Sequence, residues 1–208
     1  MKFSLKVFLY RKFIDPLLSG LRREVLLCIS PEDRILEIAC GTGALAIAMA
    51  SKAAHVTATD LSEENIAAAA LTAVKNGVEN TKFEVRNASD LSCYPDLQFD
   101  VAVITMAVHQ FDPVQAIAIL SELRRKASRI IIGDYSHHMR SGWGRNLAWA
   151  IEWLAGGDHY RNFRKYISSG GLHFFASKAG LDIISQSVRG GGVFVVAICK
   201  NHNSDLIL

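Results

Sequence analysis

A glycine-bearing turn carries the clearest chemical signal in the sequence. Residues 35–46 read ILEIACGTGALA, in which Gly41 and Gly43 let the backbone approach a ligand where a helix begins. The next apolar segment, HVTATD, ends on Asp60, and a carboxylate there can accept hydrogen bonds from both hydroxyls of a ribose. Together these features predict a binding site for an adenosine-like ligand.

Glu37 separates two classes of such ligands. It is a carboxylate in an otherwise apolar segment, four residues before Gly41. An unpaired buried charge is costly, so Glu37 needs either a cationic ligand or several backbone N–H groups as partners. The string GTGALA also matches the dinucleotide fingerprint GxGxxA, which alone is weak evidence for an NAD-dependent oxidoreductase. Glu37 would repel a pyrophosphate, whereas the ammonium group of an amino acid would satisfy it.

Strand-like and helix-like segments alternate along the chain and position these residues. The five predicted parallel strands are ILEIA, HVTATD, TKFEVRNA, FDVAVITM and RIIIGDY. The closing segments LDIISQSVR and VFVVAICK, joined by three glycines, predict a β-hairpin. The sequence therefore predicts a doubly wound α/β fold: a mostly parallel seven-stranded sheet with an antiparallel C-terminal edge hairpin and helices on both faces.

Composition limits the class of protein. The chain has 208 residues, of which 50% are hydrophobic and 21% are charged, as expected for one globular domain. A net charge of +3 is too small for a polybasic nucleic-acid binder. Four scattered cysteines predict free thiols, and no charge-free apolar run approaches the ~18 residues of a membrane-spanning helix. We therefore expect a soluble, cytoplasmic protein.

The order of these motifs resembles the class I S-adenosylmethionine-dependent methyltransferases, in particular the small-molecule branch that includes the ubiquinone and menaquinone biosynthesis enzymes. EIACGTG is similar to motif I of that family, with Ala39 where many members have glycine, and FDVAVITMAVHQF is similar to its fourth-strand motif. The resemblance covers residues 34–200. It implies a Rossmann-like fold, S-adenosylmethionine as cofactor and S-adenosylhomocysteine as product.

The resemblance also implies the cofactor contacts. Glu37 and Gly41 line the methionine end, while Asp60 and Leu61 hold the ribose and one face of the adenine. The amide oxygen of Asn87 stands where the family commonly has an aspartate that accepts the adenine amine; a turn role for Asn87, and Asp90 as the contact, are the alternatives. The full expected set is Glu37, Ala39, Cys40, Gly41, Gly43, Asp60, Leu61, Asn87, Ala88, Thr105 and Met106.

Transfer from a sulfonium needs alignment of donor and acceptor more than a nucleophilic residue. The resemblance of the fourth-strand motif places His109 towards the transferred methyl group and makes it the candidate base; a residue of the pocket wall and a satisfied buried histidine are the alternatives. Asp134 could ligate a catechol-type divalent ion, but residues 105–107 offer no carboxylate, so we expect metal-independent transfer. His137, His138, His159 and His173 lack a zinc-site spacing and are predicted to be surface or pocket histidines.

Four segments divide the predicted domain: a helical cap (1–30), a cofactor-binding half (31–135), a helical substrate lid (136–175) and the hairpin (176–200). In the lid, Trp149 and Trp153 share one helix face, which predicts either core packing or a pocket for an aromatic or apolar small molecule. The candidate acceptor contacts are Tyr10, Tyr135, His138, Trp149 and Trp153.

Other functions fit parts of the pattern. DHYRNFRKY mixes cations with aromatic residues, as in RNA-binding segments, but the low net charge disfavours an RNA methyltransferase. A non-catalytic sensor or partner subunit would need the same cofactor site. The basic, apolar residues 1–12 would suit peripheral membrane contact if the acceptor were a lipid or quinone.

Overall fold

Seven strands form one sheet in the computed structural model, which describes residues 18–202. In chain order the strands are β1 (Arg34–Ile38), β2 (His55–Asp60), β3 (Thr81–Val85), β4 (Phe99–Thr105), β5 (Ala127–Tyr135), β6 (Leu181–Arg189) and β7 (Phe194–Asn201). Their order across the sheet is β3-β2-β1-β4-β5-β7-β6. The first five strands are parallel, and β7 pairs antiparallel with both β5 and β6.

Seven α-helices cover the sheet over the described part of the chain. They are α1 (Ser19–Leu27), α2 (Ala44–Ala50), α3 (Glu63–Lys75), α4 (Pro113–Lys126), α5 (Trp143–Ala155), α6 (Gly157–Ser168) and α7 (Leu172–Lys178). Short 3₁₀ turns span Val108–Gln110 and Gly190–Gly192. The predicted fold class is confirmed, with one refinement: the antiparallel strand β7 lies one place in from the edge, and β6 forms the edge.

Two apolar layers hold the helices to the sheet. On one face Leu36 and Ile104 pack with Ile119 and Leu120 of α4. On the other face Val25 of α1 packs with apolar residues of α2 and of the central strands. The central strands β1 and β4 are buried on both faces, which explains their nearly continuous apolar sequences.

Helix α3 begins and ends where its sequence indicates. The Ser62 side chain accepts a hydrogen bond from the Asn65 backbone N–H at 3.2 Å, and Gly77 follows the helix with a left-handed φ of 66°. Because Ser62 caps the helix, α3 begins directly after Asp60, at the carboxyl end of β2.

The strand order reverses between β1 and β4, which are neighbours in the sheet but not in sequence. In a doubly wound sheet, a crevice for ligands opens at the carboxyl ends of the strands at such a reversal. Ile38 aligns with Thr59 of β2 and with Ile104 of β4, so the segments that follow these three strands meet at one edge. The predicted site residues come from these segments.

The predicted substrate lid consists of three helices between β5 and β6. Helices α5 and α6 meet at Gly156, whose φ is 68°, and α6 packs on the 3₁₀ turn after β4. The lid therefore covers the same edge of the sheet as the glycine-bearing turn. Within residues 18–202, no helix is long and apolar enough to cross a membrane.

Candidate active site

The turn between β1 and α2 contains three residues with left-handed backbone. Their φ angles are 53° at Ala39, 54° at Gly41 and 75° at Gly43. A Cβ on Gly43 would lie 2.6 Å from the Cβ of Ala69, so this glycine is needed for packing against α3. A Cβ on Gly41 would meet no atom within 4 Å, so the space above Gly41 is open to a ligand.

Asp60 connects this turn to the start of α3. Its carboxylate accepts hydrogen bonds from the Gly41 N–H at 2.8 Å, the Ser62 N–H at 2.9 Å and the Asn65 side-chain amide at 3.2 Å. A carboxylate has about four acceptor positions, so these bonds leave capacity for a ligand hydroxyl. Leu61 beside it is 70% exposed, an unusual position for a large apolar side chain unless a ligand covers it.

Glu37 is buried at the base of the turn, with 2% of its surface exposed. Its Oε2 atom has no hydrogen-bond partner among the described residues. Burial, together with the nearby charge of Asp60, raises the pKa of Glu37 to about 8, while Arg22 opposes that rise. Backbone N–H groups were the alternative partners for Glu37, but none of them bonds to Oε2 among the described residues. A cationic group of a ligand would complement this oxygen.

The segment after β3 holds its polar side chains in turns. The Asn87 side-chain oxygen accepts a hydrogen bond from the Ser89 N–H at 2.9 Å, and Asp90 accepts two from Ser92. Asn87 is exposed, while Ala88 packs partly against the core. Asn87 therefore has the turn role that was the alternative to adenine recognition, although its amide remains accessible to a ligand.

The segment after β4 faces the glycine turn from the neighbouring strand. Thr105 and Met106 are both half-buried, and Met106 has a left-handed φ of 52° with its N–H bonded to the Gly133 carbonyl. Ala39 and Met106 thus have strained non-glycine backbone at the ends of adjacent strands. Such strain concentrates at functional sites. Cys40 next to Ala39 is buried, and burial raises the pKa of its thiol far above its usual range.

His109 lies in the 3₁₀ turn beneath the lid and is only 1% exposed. Its Nδ1 atom is 2.6 Å from Asp134 Oδ1, and its backbone N–H donates to Asp134 Oδ2 at 3.2 Å. Burial is the largest single influence and lowers the pKa of His109, but the charges and hydrogen bonds of Asp134 and Glu152 together outweigh burial and raise the pKa to about 9. His109 does not line either of the two cavities beside the lid that are described below, and the buried-histidine alternative describes its surroundings.

Glu152 on α5 is a buried functional candidate that the sequence analysis missed. It accepts the Tyr135 hydroxyl at 2.8 Å, and its two oxygens lie 3.5 Å from His109 Nε2 and 2.8 Å from His159 Nδ1. Burial works against ionisation, but the neighbouring His109 and His159 lower the pKa of Glu152 to about 2. The sequence feature that could have indicated Glu152 is its spacing of four residues from Ala148, which places both residues on one face of α5, and the structure buries that face.

Two cavities open beside the lid, and Trp149 lines both. One holds about 330 Å³ between His137, Arg145 and Trp149; the other holds about 570 Å³ and extends to Tyr160 and Arg164. The other predicted acceptor contacts lie elsewhere: Tyr135 is buried, His138 and Trp153 are exposed, and Tyr10 is outside the described residues.

The comparisons with known proteins identify the family. Residues 29–168 match the methyltransferase domain family. The chain belongs to this family. Ubiquinone biosynthesis O-methyltransferases are similar to it. The enzyme of Cereibacter sphaeroides is 30% identical, over 77% of the chain and 64% of that enzyme. The enzyme of Aeromonas salmonicida is 33% identical, over 52% of the chain and 45% of that enzyme. The chain therefore spans less than two thirds of these curated relatives.

Solved structures show the same fold. A SAM-dependent methyltransferase of Aquifex aeolicus has a TM-score of 0.66 at 19% identity, and the match covers 95% of the chain and 98% of that structure. PH0226 protein of Pyrococcus horikoshii has a TM-score of 0.68 at 15% identity, and the match covers 90% of the chain and 91% of that structure. The predictions of a class I methyltransferase, its Rossmann-like fold and S-adenosylmethionine as cofactor are confirmed. The unpaired Glu37 oxygen, the open space above Gly41 and exposed Leu61 fit this cofactor.

Proposed function

We propose that the chain transfers the methyl group of S-adenosylmethionine to a small-molecule acceptor by in-line displacement. The observation that supports this most is the unpaired, buried carboxylate of Glu37 beside a glycine turn with open space above it. An amino-acid ammonium group would stabilise the ionised form of Glu37, whereas a dinucleotide phosphate would disfavour that form and gain nothing from it. The family assignment and the similar ubiquinone biosynthesis O-methyltransferases point the same way.

Within this proposal the chain positions the cofactor from both ends. Glu37 receives the ammonium group, Asp60 accepts the ribose hydroxyls, and Leu61 covers one face of the adenine. Thr105 and Met106 lie beside the methionine portion, where the cofactor supplies an already activated methyl group. Because the reaction needs alignment above all, the rigid hydrogen bonds of Asp60 to the turn and to α3 are part of its catalytic power.

The acceptor is proposed to lie against the lid. Trp149 and Tyr160 give the larger cavity an aromatic wall, and Arg164 adds a cation beside it. A cavity of about 570 Å³ is within the range of small-molecule sites. This arrangement favours an aromatic or apolar acceptor that carries an acidic or hydroxyl substituent.

Two finer predictions concern the chemistry at the acceptor. The sequence predicts that His109 is the base and that transfer needs no metal. Alignment of donor and acceptor does not itself call for a metal, and residues 105–107 offer no carboxylate for a catechol-type magnesium ion. A hydroxyl acceptor must pass its proton to a base or to water as the methyl group is transferred. Turnover that does not change when Mg²⁺ is added would support the second prediction, and strict dependence on Mg²⁺ would contradict it.

Transfer of a radiolabelled methyl group tests the proposal. The full chain is incubated with labelled S-adenosylmethionine and a panel of small phenols, quinols and amines, with Asp60→Ala as the matched control. We expect label in at least one aromatic acceptor with the wild type and a strong loss with the variant. Tight cofactor binding without transfer to any acceptor would favour the non-catalytic sensor instead.

A further inference from the structure

Three potential metal ligands converge beneath the lid from three separate elements. They are His109 Nε2 from the turn after β4, a carboxylate oxygen of Glu152 from α5 and His159 Nδ1 from α6. All of these atoms lie within 4.8 Å of one another. Glu152 lies 3.5 Å from His109 Nε2 through its Oε1 atom and 2.8 Å from His159 Nδ1 through its Oε2 atom, and the ligands of a tetrahedral zinc ion are about 3.4 Å apart.

These same atoms lack hydrogen bonds. His109 Nε2, Glu152 Oε2 and His159 Nδ1 are each buried without a hydrogen-bond partner among the described residues. Glu152 Oε2 and His159 Nδ1 are 2.8 Å apart, yet they are not aligned for a hydrogen bond. Buried polar atoms are almost always satisfied, so three unsatisfied atoms that share one space indicate a missing partner.

Hydrogen bonds from neighbouring side chains orient His109 and Glu152, as such bonds orient the ligands of known metal sites. Asp134 Oδ1 is 2.6 Å from His109 Nδ1, so the proton on Nδ1 is held there, and a metal ion would take the place of the second proton on Nε2, which faces Glu152. The Tyr135 hydroxyl donates to Glu152 Oε1 at 2.8 Å and leaves Oε2 for another partner. Carboxylate–histidine pairs of this kind typically orient zinc-binding histidines.

The charge of the cluster also favours a cation. Asp134 and Glu152 are 0% and 3% exposed, and among residues 18–202 no lysine or arginine pairs with either. A protonated His109 supplies one positive charge for these two buried carboxylates, and the second negative charge then remains uncompensated and destabilising. A divalent ion between His109 and Glu152 would neutralise both.

We propose that His109, Glu152 and His159 form a zinc site that joins the two lid helices α5 and α6 to the turn after β4. Two imidazole nitrogens and one carboxylate suit Zn²⁺, whereas Mg²⁺ and Ca²⁺ prefer oxygen ligands throughout. Three protein ligands leave a fourth position for water. An occupied site would make His109 a ligand rather than the base and His159 a ligand rather than a pocket histidine, and it would overturn the expectation that these histidines bind no zinc.

Metal content tests the proposal directly. The full chain, without a histidine tag, is loaded with Zn²⁺, dialysed and analysed by inductively coupled plasma mass spectrometry. We expect about one zinc per chain, and Co²⁺ loading should give the visible absorption of a tetrahedral cobalt site. Less than a tenth of an equivalent of zinc, or preferential retention of another metal, would overturn the proposal. A protonated His109 between the two carboxylates would then explain the cluster.

Matched variants locate the site. Glu152→Gln and His159→Gln should each weaken zinc binding at least tenfold, while His173→Gln, an exposed lid histidine outside the cluster, should bind zinc like the wild type. Full zinc retention by both cluster variants would contradict the assignment. Because variants in a buried cluster could fail to fold, the zinc content of the wild type decides the question alone. It is measured without cofactor or acceptor, so it stands apart from methyl transfer.

Discussion

At the scale of single residues, Glu37 is the most consequential side chain, since it is buried without a partner for one oxygen. Its pKa of about 8 in the folded protein lies above the ordinary value of 4.5. The protonated form is therefore favoured on folding, and its stabilising contribution is complete below pH 4.5 and lost as the pH rises through 8. Ligand-free protein should accordingly become less stable across this interval.

Glu37→Gln removes this dependence. The free energy of unfolding in urea, measured for wild type and variant at pH 5.5 and 8.5, should show the wild type losing at least ~1 kcal/mol relative to the variant at the higher pH. Other titrating groups are common to both proteins, so their contributions cancel when the change in stability of the variant is subtracted from that of the wild type. Parallel pH dependences would mean that Glu37 is compensated in the ligand-free protein.

Ala39 offers a second prediction at this scale, because its φ of 53° is costly for a residue with a Cβ. Left-handed backbone costs an alanine roughly 1–2 kcal/mol, and glycine avoids that cost while losing part of the gain to its more flexible unfolded state. Ala39→Gly should therefore stabilise the protein by about 0.5–1 kcal/mol in chemical denaturation. Ala48→Gly, in the regular helix α2, is the control and should destabilise by about 1 kcal/mol. Equal losses in both variants would contradict the strain at Ala39.

At the scale of elements, the turn between β1 and α2 contains one glycine that is needed for packing, Gly43, and one that faces open space for a ligand, Gly41. Gly43→Ala would place a Cβ 2.6 Å from Ala69 and should cost ~2–3 kcal/mol of stability. Gly41→Ala meets open space and should cost only ~1 kcal/mol for its left-handed backbone, while weakening the affinity for S-adenosylhomocysteine at least tenfold. Thermal unfolding and calorimetric titration of both variants check this. Similar affinities for Gly41→Ala and wild type would place the cofactor elsewhere.

Local sequence patterns predicted most elements because local chemistry determines them. Apolar runs mark the buried strands, and Ser62 and Gly77 mark the ends of α3. The position of β7 between β5 and β6 was not predictable in this way, since strand order depends on packing between distant segments. The lid is a similar case: Glu152 and His159 are 43 and 50 residues after His109, and no spacing rule indicates that they meet.

At the scale of the whole molecule, the sheet brings the two acids to one crevice. Asp60 ends β2, and Glu37 lies on the adjacent strand β1, where it aligns with Ala58. The reversal of strand order between β1 and β4 opens the edge above them, and the lid covers that edge from the other side. The sequence predicted this half of the site because the family motif and the strand ends coincide. The lid half depends on tertiary packing and was predicted only in outline.

In the proposed complex, Glu37 and Asp60 hold opposite ends of S-adenosylmethionine. Calorimetric titration of the full chain with S-adenosylhomocysteine tests it most directly, with Asp60→Ala, Glu37→Gln and NAD⁺ as comparisons. We expect binding by the wild type, affinity weakened by ~1.5–3 kcal/mol, or about 10- to 150-fold, in Asp60→Ala, a marked loss in Glu37→Gln and no binding of NAD⁺. Unchanged affinity in both variants, or binding of NAD⁺ in place of the sulfur compound, would contradict it.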